Sequence, residues 1–421
     1  MAERKALDFR RLLGARSNAL AFDGDVRMDP NCASTAGLSP ARRFPSPRRA
    51  LARAIALMHG QALPMLAFLC AFVSLAIVGD ASLVPESIDW RVIALLFCLM
   101  ASVAGFQKSG LMGHIARNLV RGNHRKRSVC LVLVLLPFFS SMLMTNDVAL
   151  ITFVPFAAAV LVAAGWQNLL AYVIVLQAVA ANLGGMVTPV GNPQNLFIFT
   201  TYGLSPLDFF LALAPFGSLA LILLYLACMR CGQETSKLAI KRVEDPVDRR
   251  RVVLHGVLFA VALLAVVRVI PWQAALVLVV AALAAFDRAV FRKVDYPLLF
   301  TFLCFFVFSG NVAHIPEAQG FLGSLMNDHP MLTSLVSSQV ISNVPAAVLL
   351  AGFTENWHSL LIGVDLGGLG TPIASLASLI ALKIYLRAPG TTALGFMKVF
   401  AAVNIVFLVP MVALYAVLFV V

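Results

Sequence analysis

The sequence predicts an all-α polytopic membrane protein made of two inverted repeats, with two re-entrant hairpins and two broken transmembrane helices. Three observations support this prediction. The chain is 60% hydrophobic and only 12% charged, whereas an ordinary soluble protein carries about 25% charged residues. Apolar runs close to the ~20 residues that a bilayer span needs recur along the chain. Three short motifs also occur twice in the same order.

The apolar runs define the candidate spans. Those that are continuous, or interrupted only by a kink, are Gln61–Val78, Trp90–Gln107, Leu169–Tyr202, Leu207–Met229, Val252–Ile270, Gln273–Phe286, Tyr296–Val312, Trp357–Leu386 and Ala393–Val421. Two further runs, Val129–Ala164 and Pro330–Phe353, are broken in the middle. The arm Val129–Met142 would reach roughly 21 Å at about 1.5 Å per residue, which is short of the ~30 Å hydrocarbon core. We therefore expect both broken runs to form re-entrant hairpins.

The first 55 residues differ in composition from the rest of the chain. Between Met1 and Arg53 there are eleven Lys or Arg and five Asp or Glu, with Pro and Ser near the end. Such a segment cannot bury enough apolar surface to fold alone. We expect a disordered basic cytoplasmic extension over residues 1–55, a first transmembrane repeat over 60–230, a cytoplasmic loop and connector helix over 231–270, and a second, inverted transmembrane repeat over 271–421.

Lys and Arg concentrate in a few of the loops, at 108–127, 237–251, 288–293 and 383–387, whereas the stretch from Ala313 to Trp357 contains none. Cytoplasmic loops of membrane proteins carry an excess of Lys and Arg. A cytoplasmic N-terminus places every basic cluster inside if the two hairpins return to the side from which they entered. The same rule explains the net charge of +12 without a nucleic-acid partner.

The two halves of the chain echo each other. IDW at Ile88 corresponds to VDY at Val294, TND at Thr145 to SNVP at Ser342, and GGMVTP at Gly184 to GGLGTP at Gly367, with offsets of 206, 197 and 183 residues. The loop charges indicate that one hairpin enters from the inside and the other from the outside. The run Val252–Ile270 supplies the extra span that an inverted repeat requires.

The glycines and prolines of the third motif cannot form a continuous helix. Irregular backbone at membrane depth is tolerated only where it is buried in protein or lines a cavity. The freed N–H groups attract anions and the freed carbonyls attract cations. We therefore predict a substrate and ion site formed by Thr145, Asn146, Asp147, Asn182, Gly184, Gly185, Thr188, Pro189, Asn192, Asn195, Ser342, Asn343, Asp365, Gly367, Gly368, Thr371, Pro372 and Ser375.

Two acids lie inside the apolar runs, Asp147 and Asp365. An acid at the centre of a bilayer costs about 2.5–3.5 kcal/mol on insertion scales, so it usually has a task. Asp147 stands next to the first tip and is a candidate to neutralise a cation or exchange a proton. Asp365 either binds an ion or caps a broken helix. A sodium ion is expected, if present, at Asn146, Asn343 and the adjacent backbone carbonyls.

Four runs, MTNDVALITFVP, NLGGMVTPVGNPQN, ISNVPAAVLL and GVDLGGLGTPIASLASL, together resemble the ion transporter superfamily. This superfamily includes citrate-transporter-like proteins, divalent-anion/sodium symporters and arsenite permeases. The resemblance covers about Gln61 to Val421, and the runs Asn146–Pro155 and Asp365–Ala377 are most similar to the arsenite permease branch. It implies a scaffold, a binding site and alternating access. The hairpin tips differ from the Ser-Asn-Thr tips of the dicarboxylate symporters, which leaves the substrate open.

We expect a secondary active transporter that moves a small anion or organic acid, either citrate- or dicarboxylate-like or an inorganic oxyanion, coupled to protons or sodium. The alternatives are an arsenite/antimonite efflux permease and a sodium/proton antiporter. An enzyme is not expected, since no H-E-x-x-H run or nucleophile–base pair occurs at helical spacing. No cofactor is expected beyond the coupling ion. The expected setting is the bacterial inner (plasma) membrane, and a homodimer is expected only by analogy with related folds.

Overall fold

A computed structural model describes residues 62–120, 122–238, 247–388 and 390–419. The described residues from Pro64 to Arg387 and from Thr391 onward form one compact unit. Residues 1–55 lie outside the described part of the chain. The disordered extension predicted for residues 1–55 therefore stays a prediction.

The first half begins with four helices before the first hairpin. They are α1 (Ala62–Val78), α2 (Leu83–Ser87), α3 (Trp90–Lys108) and α4 (Leu111–Val120). The carboxylate of Asp89 accepts a hydrogen bond from the backbone N–H of Val92, 3.1 Å away, and so caps the start of α3. An Asp at this position satisfies one of the N–H groups that a helix start leaves unpaired.

The remaining helices of the first half form a hairpin, a broken helix and a long helix. The first hairpin consists of α5 (Lys126–Ser141) and α6 (Asn146–Ala163). The first broken helix consists of α7 (Leu170–Gly185) and α8 (Pro193–Thr201), and α9 (Pro206–Met229) follows it. The run predicted as Leu169–Tyr202 is thus interrupted over residues 186–192, which directly follow Gly184 and Gly185 and contain Pro189 and Gly191.

The second half repeats this order after a connector. The connector and the helices up to the second hairpin are α10 (Arg249–Val266), α11 (Trp272–Phe286), α12 (Tyr296–Val312) and α13 (Pro316–Asp328). The second hairpin consists of α14 (Pro330–Ile341) and α15 (Asn343–Leu350). The second broken helix consists of α16 (Trp357–Leu366) and α17 (Leu376–Tyr385), and α18 (Ala393–Phe419) follows it. Asp295 caps α12 by accepting from the N–H of Leu298 at 3.1 Å, as Asp89 caps α3.

The helical fold class predicted from the sequence is confirmed, with one addition. Strands β1 (Gly122–Arg125) and β2 (Thr235–Leu238) form a two-stranded antiparallel sheet, in which Gly122 pairs with Leu238 and Arg125 with Thr235. This sheet joins the loop before the first hairpin to the loop after α9, and the sequence analysis did not predict it.

Among the described residues, five helical segments are long and apolar enough to cross a membrane: α3, α6, Gln167–Gly185, α9 and α18. A sixth candidate pairs α12 with α13, which are bent by 101° relative to each other. The sequence analysis treated α12 alone as a span and did not predict α13. Shorter apolar helices are Pro64–Val78, α11, Asn343–Phe353 and α17. The inverted orientation of the two halves stays a prediction.

The two halves exchange packing partners at the centre of the molecule. Each hairpin packs on the first segment of the broken helix of its own half, α5 and α6 on α7, and α14 and α15 on α16. The second segments cross over, so that α17 packs on α6 and α8 packs on α15. This exchange brings the hairpin tips and the helix breaks of both halves together.

Candidate functional site

The two hairpin tips have the same local geometry. Oδ1 of Asn146 accepts from the backbone N–H of Asp147 at 2.8 Å, and Oδ1 of Asn343 accepts from that of Val344 at 2.9 Å. Both asparagines are buried, at 6% and 5% exposure. Each oxygen accepts from a backbone N–H in the first turn of the helix that starts at its own residue. The side-chain NH₂ groups point away from the tips, that of Asn146 toward Asn182 and that of Asn343 toward Gly368.

Asn182, in the last turn of α7, joins elements of both halves. Its Oδ1 accepts from Nδ2 of Asn146 at 2.7 Å and from the hydroxyl of Ser375 at 3.0 Å. Its Nδ2 donates to the carbonyl of Gly368 at 3.2 Å. Asn343 lies beside the same glycine, since a Cβ on Gly368 would come 3.2 Å from Asn343 Nδ2. These five residues are called the asparagine cluster below.

The repeat relates this cluster to a second set of contacts. At the offset of 183 residues that superposes GGMVTP on GGLGTP, Asn182 corresponds to Asp365, and Asn192 to Ser375. Oδ1 of Asp365 accepts from Nε2 of Gln194 at 2.9 Å, and Asn192 lies beside the same carboxyl. Each half therefore presents the start of its second helix segment to the end of the other half's first segment.

The carbonyls of the first break are held by one amide. Nδ2 of Asn195 donates to the carbonyls of Gly185, Met186 and Thr188 at 3.1–3.3 Å. Asn195 is fully buried. Two further close approaches require glycine: a Cβ on Gly184 would overlap the carbonyl oxygen of Phe138 and one on Gly185 would come 2.5 Å from Asn192. The unwound segment is therefore tied down, and the carbonyls that Asn195 contacts are already engaged.

The second break is held in the same way by a residue of the hairpin. Nε2 of Gln339, in α14, donates to the carbonyls of Gly367 and Leu369 at 2.7 and 2.8 Å. The hydroxyl of Thr371 donates to the carbonyl of Gln339 at 3.0 Å. In the first half the hydroxyl of Thr188 donates to the carbonyl of Met142 at 2.6 Å. Each break is thus pinned to the hairpin of its own half by a threonine.

The other predicted site residues lie around this centre. Ser342 is buried, and its hydroxyl donates to the carbonyl of Ala374 at 3.2 Å. Pro189 and Pro372 are half-buried. Thr371 is exposed and so lies at the rim of the site, away from the asparagine cluster.

Asp147 faces a cavity, whereas its neighbour Asn146 faces the asparagine cluster. It lines a cavity of about 190 Å³ together with Thr145, Val190, Lys293 and Asp295. Its Oδ1 is buried and has no hydrogen-bond partner among the described residues. The structure thus places Asp147 with a lysine and a second acid near the start of α12, and not with the hydrogen-bonded residues of the asparagine cluster.

Sequence reasoning missed four residues of this region: Gln194, Gln339, Lys293 and Asp295. A signal for the first two was present, because Gln194 lies inside the GNPQN run and Gln339 is a long amide side chain three residues before the second hairpin tip. The other two stand in a loop and at a helix start, where charged residues are common. Asp295 stands in the repeated VDY motif, but that motif marks a helix start and does not indicate a cavity.

The electrostatics of the centre come from helix ends. Helices α6, α15 and α17 begin at or beside the asparagine cluster, and α8 begins beside Asp365. A helix N-terminus carries about half a positive charge and unpaired N–H groups, which favours anions. Among the described residues that form the hydrogen bonds of the cluster, none is Lys or Arg. The site therefore offers amide, hydroxyl and backbone donors.

Comparison with known proteins agrees with this architecture. The sequence profile of a family described as "Citrate transporter" matches residues 54–359. The chain is 32% identical over 303 residues to the inner membrane protein YbiR of Escherichia coli strain K12, covering 71% of this chain and 81% of that protein.

Two further relatives extend the comparison. The uncharacterized transporter MJ0456 of Methanocaldococcus jannaschii is 32% identical over 301 residues, covering 70% of this chain and 81% of its own length. The silicon efflux transporter LSI3 of rice is 32% identical over 146 residues, which is 34% of this chain and 30% of the rice protein. The family and these named relatives are membrane transporters and not enzymes. The chain therefore belongs to the citrate transporter family of integral membrane transporters.

Proposed function

We propose that this protein is a secondary active transporter that carries a small anion or organic acid, citrate- or dicarboxylate-like or an inorganic oxyanion, between its two hairpin tips. One observation carries the proposal. Asn182 receives a hydrogen bond from the first hairpin and one from the second broken helix, and it donates to that broken helix. A solute bound there contacts both halves, so releasing it to either side requires the halves to rearrange.

The donors at this position suit an anion. The side-chain NH₂ groups of Asn146 and Asn343 point away from their tips, and three helix N-termini lie beside them. Amide and backbone N–H groups are the donors that bind carboxylates and oxyanions at helix starts. An anion that replaces Asn182 as the acceptor would bind the NH₂ group of Asn146, which now donates to Asn182.

The contacts that join the two halves are weak enough to be replaced by others when the halves rearrange. They are side-chain hydrogen bonds such as Asn182–Gly368 and Ser375–Asn182. A neutral bond of this kind contributes about 0.5–1.5 kcal/mol net, so binding energy of a few kcal/mol can shift the balance between two arrangements. Coupling to protons or sodium would use Asp147, with sodium at Asn146, Asn343 and the adjacent backbone carbonyls. Alternating access follows as the mode of transport.

The proposal includes a membrane and an orientation. One relative is named as an inner membrane protein of Escherichia coli, and we place this chain in the same kind of membrane. The basic loops place the N-terminus in the cytoplasm. A homodimer remains part of the proposal by analogy with related folds alone.

The test is a thermal-shift screen of the purified protein against citrate, succinate, sulfate, phosphate and arsenite, in sodium and in potassium buffers. A ligand at 100 times its Kd stabilises the folded state by about 2.7 kcal/mol. We expect one anion to raise the Tm of the wild-type protein and not that of Asn182→Ala. Stabilisation that persists in Asn182→Ala would place binding elsewhere and overturn the proposed site. The anion identified is then supplied to proteoliposomes under imposed pH and sodium gradients.

A second candidate is efflux of arsenite or antimonite. It is favoured because the hydrogen-bonding side chains of the asparagine cluster, among the described residues, are neutral, which suits a solute that carries no charge at neutral pH. One relative is also named for silicon efflux. Expression in a metalloid-sensitive host separates the candidates, because only efflux raises resistance. Acidification or alkalinisation of vesicles on addition of sodium alone would instead indicate a sodium/proton antiporter.

A further inference from the structure

Arg91 and Arg268 lie at the same end of two helices that pack along each other, α3 and α10. At the opposite end, Lys108 Nζ and Arg251 Nε each lie 3.2 Å from the carboxylate of Asp287. Arg91 stands seventeen residues before Lys108, and Arg268 seventeen residues after Arg251. Because the helices are antiparallel and rise about 1.5 Å per residue, the two arginines reach the same level. Their charges are close enough to repel each other.

These arginines are on the face where basic residues are scarce. The Lys108–Asp287–Arg251 ion pairs belong to the loops rich in Lys and Arg, which the positive-inside rule assigns to the cytoplasm. The arginines lie at the other end of the same helices. The stretch Ala313–Trp357, which the same rule assigns to that face, contains no Lys or Arg. Two like charges brought together on a face that otherwise lacks them cost energy unless an anion joins them.

The conformation of Arg268 is unusual. Its φ is +64°, a left-handed conformation that non-glycine residues rarely adopt. It follows the end of α10, and its Nη1 donates to the carbonyl of Gly203 at 3.0 Å. Strained backbone of this kind is held in place by its surroundings and occurs preferentially at binding sites. The bond to Gly203 orients the guanidinium and leaves its other N–H donors available.

Arg91 also has unused donor capacity. Its Nε is buried and has no hydrogen-bond partner among the described residues. The charge of Asp89 acts on this side chain, but Oδ1 of Asp89 already accepts from the N–H of Val92 at 3.1 Å. A buried donor without a partner destabilises the folded state, and an anion bound beside it would remove that cost.

We propose that Arg91 and Arg268 together bind an oxyanion, a carboxylate or a phosphate, at this end of the molecule. Arginine presents several N–H donors in a planar fork that matches such groups. The anion has two sources, a free solute approaching the transporter or the headgroup of an anionic lipid, and both offer the same chemistry. The site lies on α3 and α10 and is separate from the asparagine cluster.

The experiment uses the full chain in lipid nanodiscs, with inorganic phosphate as the probe. In discs of phosphatidylcholine alone, phosphate is titrated and the Tm recorded for the wild type, Arg91→Gln, Arg268→Gln and Arg268→Gly. Native mass spectrometry then measures how many phosphatidylglycerol molecules each protein retains from mixed discs. Arg387→Gln, an exposed arginine on the basic side, is the matched control.

In Arg91→Gln and Arg268→Gln we expect one of two results. Either the half-saturating phosphate concentration rises on the order of tenfold, or the amount of retained phosphatidylglycerol falls on the order of tenfold. Arg387→Gln should behave as the wild type. Arg268→Gly should have an unchanged or higher Tm without ligand, because glycine accepts the left-handed conformation, and yet lose the response. A phosphate effect identifies the solute as the source, and a lipid effect identifies the headgroup.

Two results would overturn the site. One is that neither phosphate response nor lipid retention depends on Arg91 and Arg268. The other is that Arg387→Gln weakens the response as much, which would mean binding by net charge alone. The transport proposal is unaffected by either, since it is tested at Asn182.

Discussion

The hydroxyl of Ser375 donates a hydrogen bond to Oδ1 of Asn182 at 3.0 Å. Ser375 opens α17 in the second half of the chain, and Asn182 lies in the last turn of α7 in the first. Both groups are buried, so the bond is made in a setting where an unpaired partner would be costly. The bond therefore holds the two helix breaks in one arrangement, and transport has to break it or move both together.

Asn182→Ala should abolish transport and lower stability. The substitution leaves up to three buried polar partners unpaired, each at a cost of about 1–3 kcal/mol. Gln177→Ala is the matched control, because Gln177 is a buried amide of the same helix that bonds to the carbonyl of Leu133, outside the cluster. Both variants should unfold at lower temperature, but only Asn182→Ala should fail to bind the anion found by thermal shift. Equal binding by the two variants would contradict the assignment of Asn182.

Asn146→Ala and Asn343→Ala should each abolish transport while expression stays near normal. Each removes an NH₂ donor at a hairpin tip together with the acceptor for a backbone N–H in the first turn of its helix, and an unpaired buried N–H costs about 1–3 kcal/mol. The measurement is solute exchange in proteoliposomes, with membrane yield as the check on folding. Asn118→Ala, an exposed asparagine of α4, should transport as the wild type does. Wild-type rates in both tip variants would move the site elsewhere.

Gly184→Ala and Gly367→Ala should destabilise the protein to similar extents. A Cβ on Gly184 would overlap the carbonyl oxygen of Phe138, and one on Gly367 would come 2.5 Å from Cβ of Ser338. Overpacking of this kind costs about 1–3 kcal/mol. Gly256→Ala, where the nearest atom would be 3.8 Å away, should leave the Tm unchanged or raise it, since alanine is the better helix former. Thermal unfolding in detergent measures all three.

Asp147→Asn should retain solute binding and lose dependence on the imposed ion gradient. The substitution keeps the shape of the side chain and removes its charge from the cavity that it shares with Lys293 and Asp295. Asp365→Asn should mainly lower stability, because it weakens the bond that Asp365 accepts from Gln194. Transport under separate pH and sodium gradients, measured for both variants side by side, checks this. Unchanged gradient dependence in Asp147→Asn would remove Asp147 from the coupling.

Cysteines placed at Gly122 and Gln233 should be labelled from the cytoplasm and one at Asn327 from the outside. The pairing of β1 with β2 puts the loops that carry Gly122 and Gln233 on one side of the molecule. Asn327, in α13, lies within the stretch without basic residues and is exposed. An impermeant thiol reagent applied to right-side-out and everted vesicles gives the sidedness. Labelling of all three from one side would contradict the inverted repeat.

Much of the helical framework follows from local pattern. The apolar runs, the Gly–Pro breaks and the polar tips lie in continuous stretches of sequence, and the helices of the structure begin and end within a few residues of those signals. The pairing of Asn146 with Asn182 was within reach for the same reason, because Asn146 stands inside one repeated motif and Asn182 two residues before another.

Other contacts depend on the rotation of a helix about its axis, which one sequence does not specify. Asn146 and Asp147 are neighbours at the start of α6, but they face the asparagine cluster and the cavity near Lys293 respectively. The sheet between β1 and β2 is a further example. Its strands are four residues each and more than a hundred residues apart in sequence, so neither has a hydrophobic period to reveal it.

The sheet between β1 and β2 has a consequence for the order of assembly during synthesis. It closes a loop that contains the first hairpin, the first broken helix and α9. Because the chain is synthesised from its N-terminus, this whole loop has been made once Leu238 has emerged, before the connector α10 is synthesised. The sheet can then close the first half into a loop, and the helices of the second half are inserted and packed against it afterwards. The entropic cost of closing a loop rises only slowly with its length, so a sheet of four residue pairs can close a loop of this size.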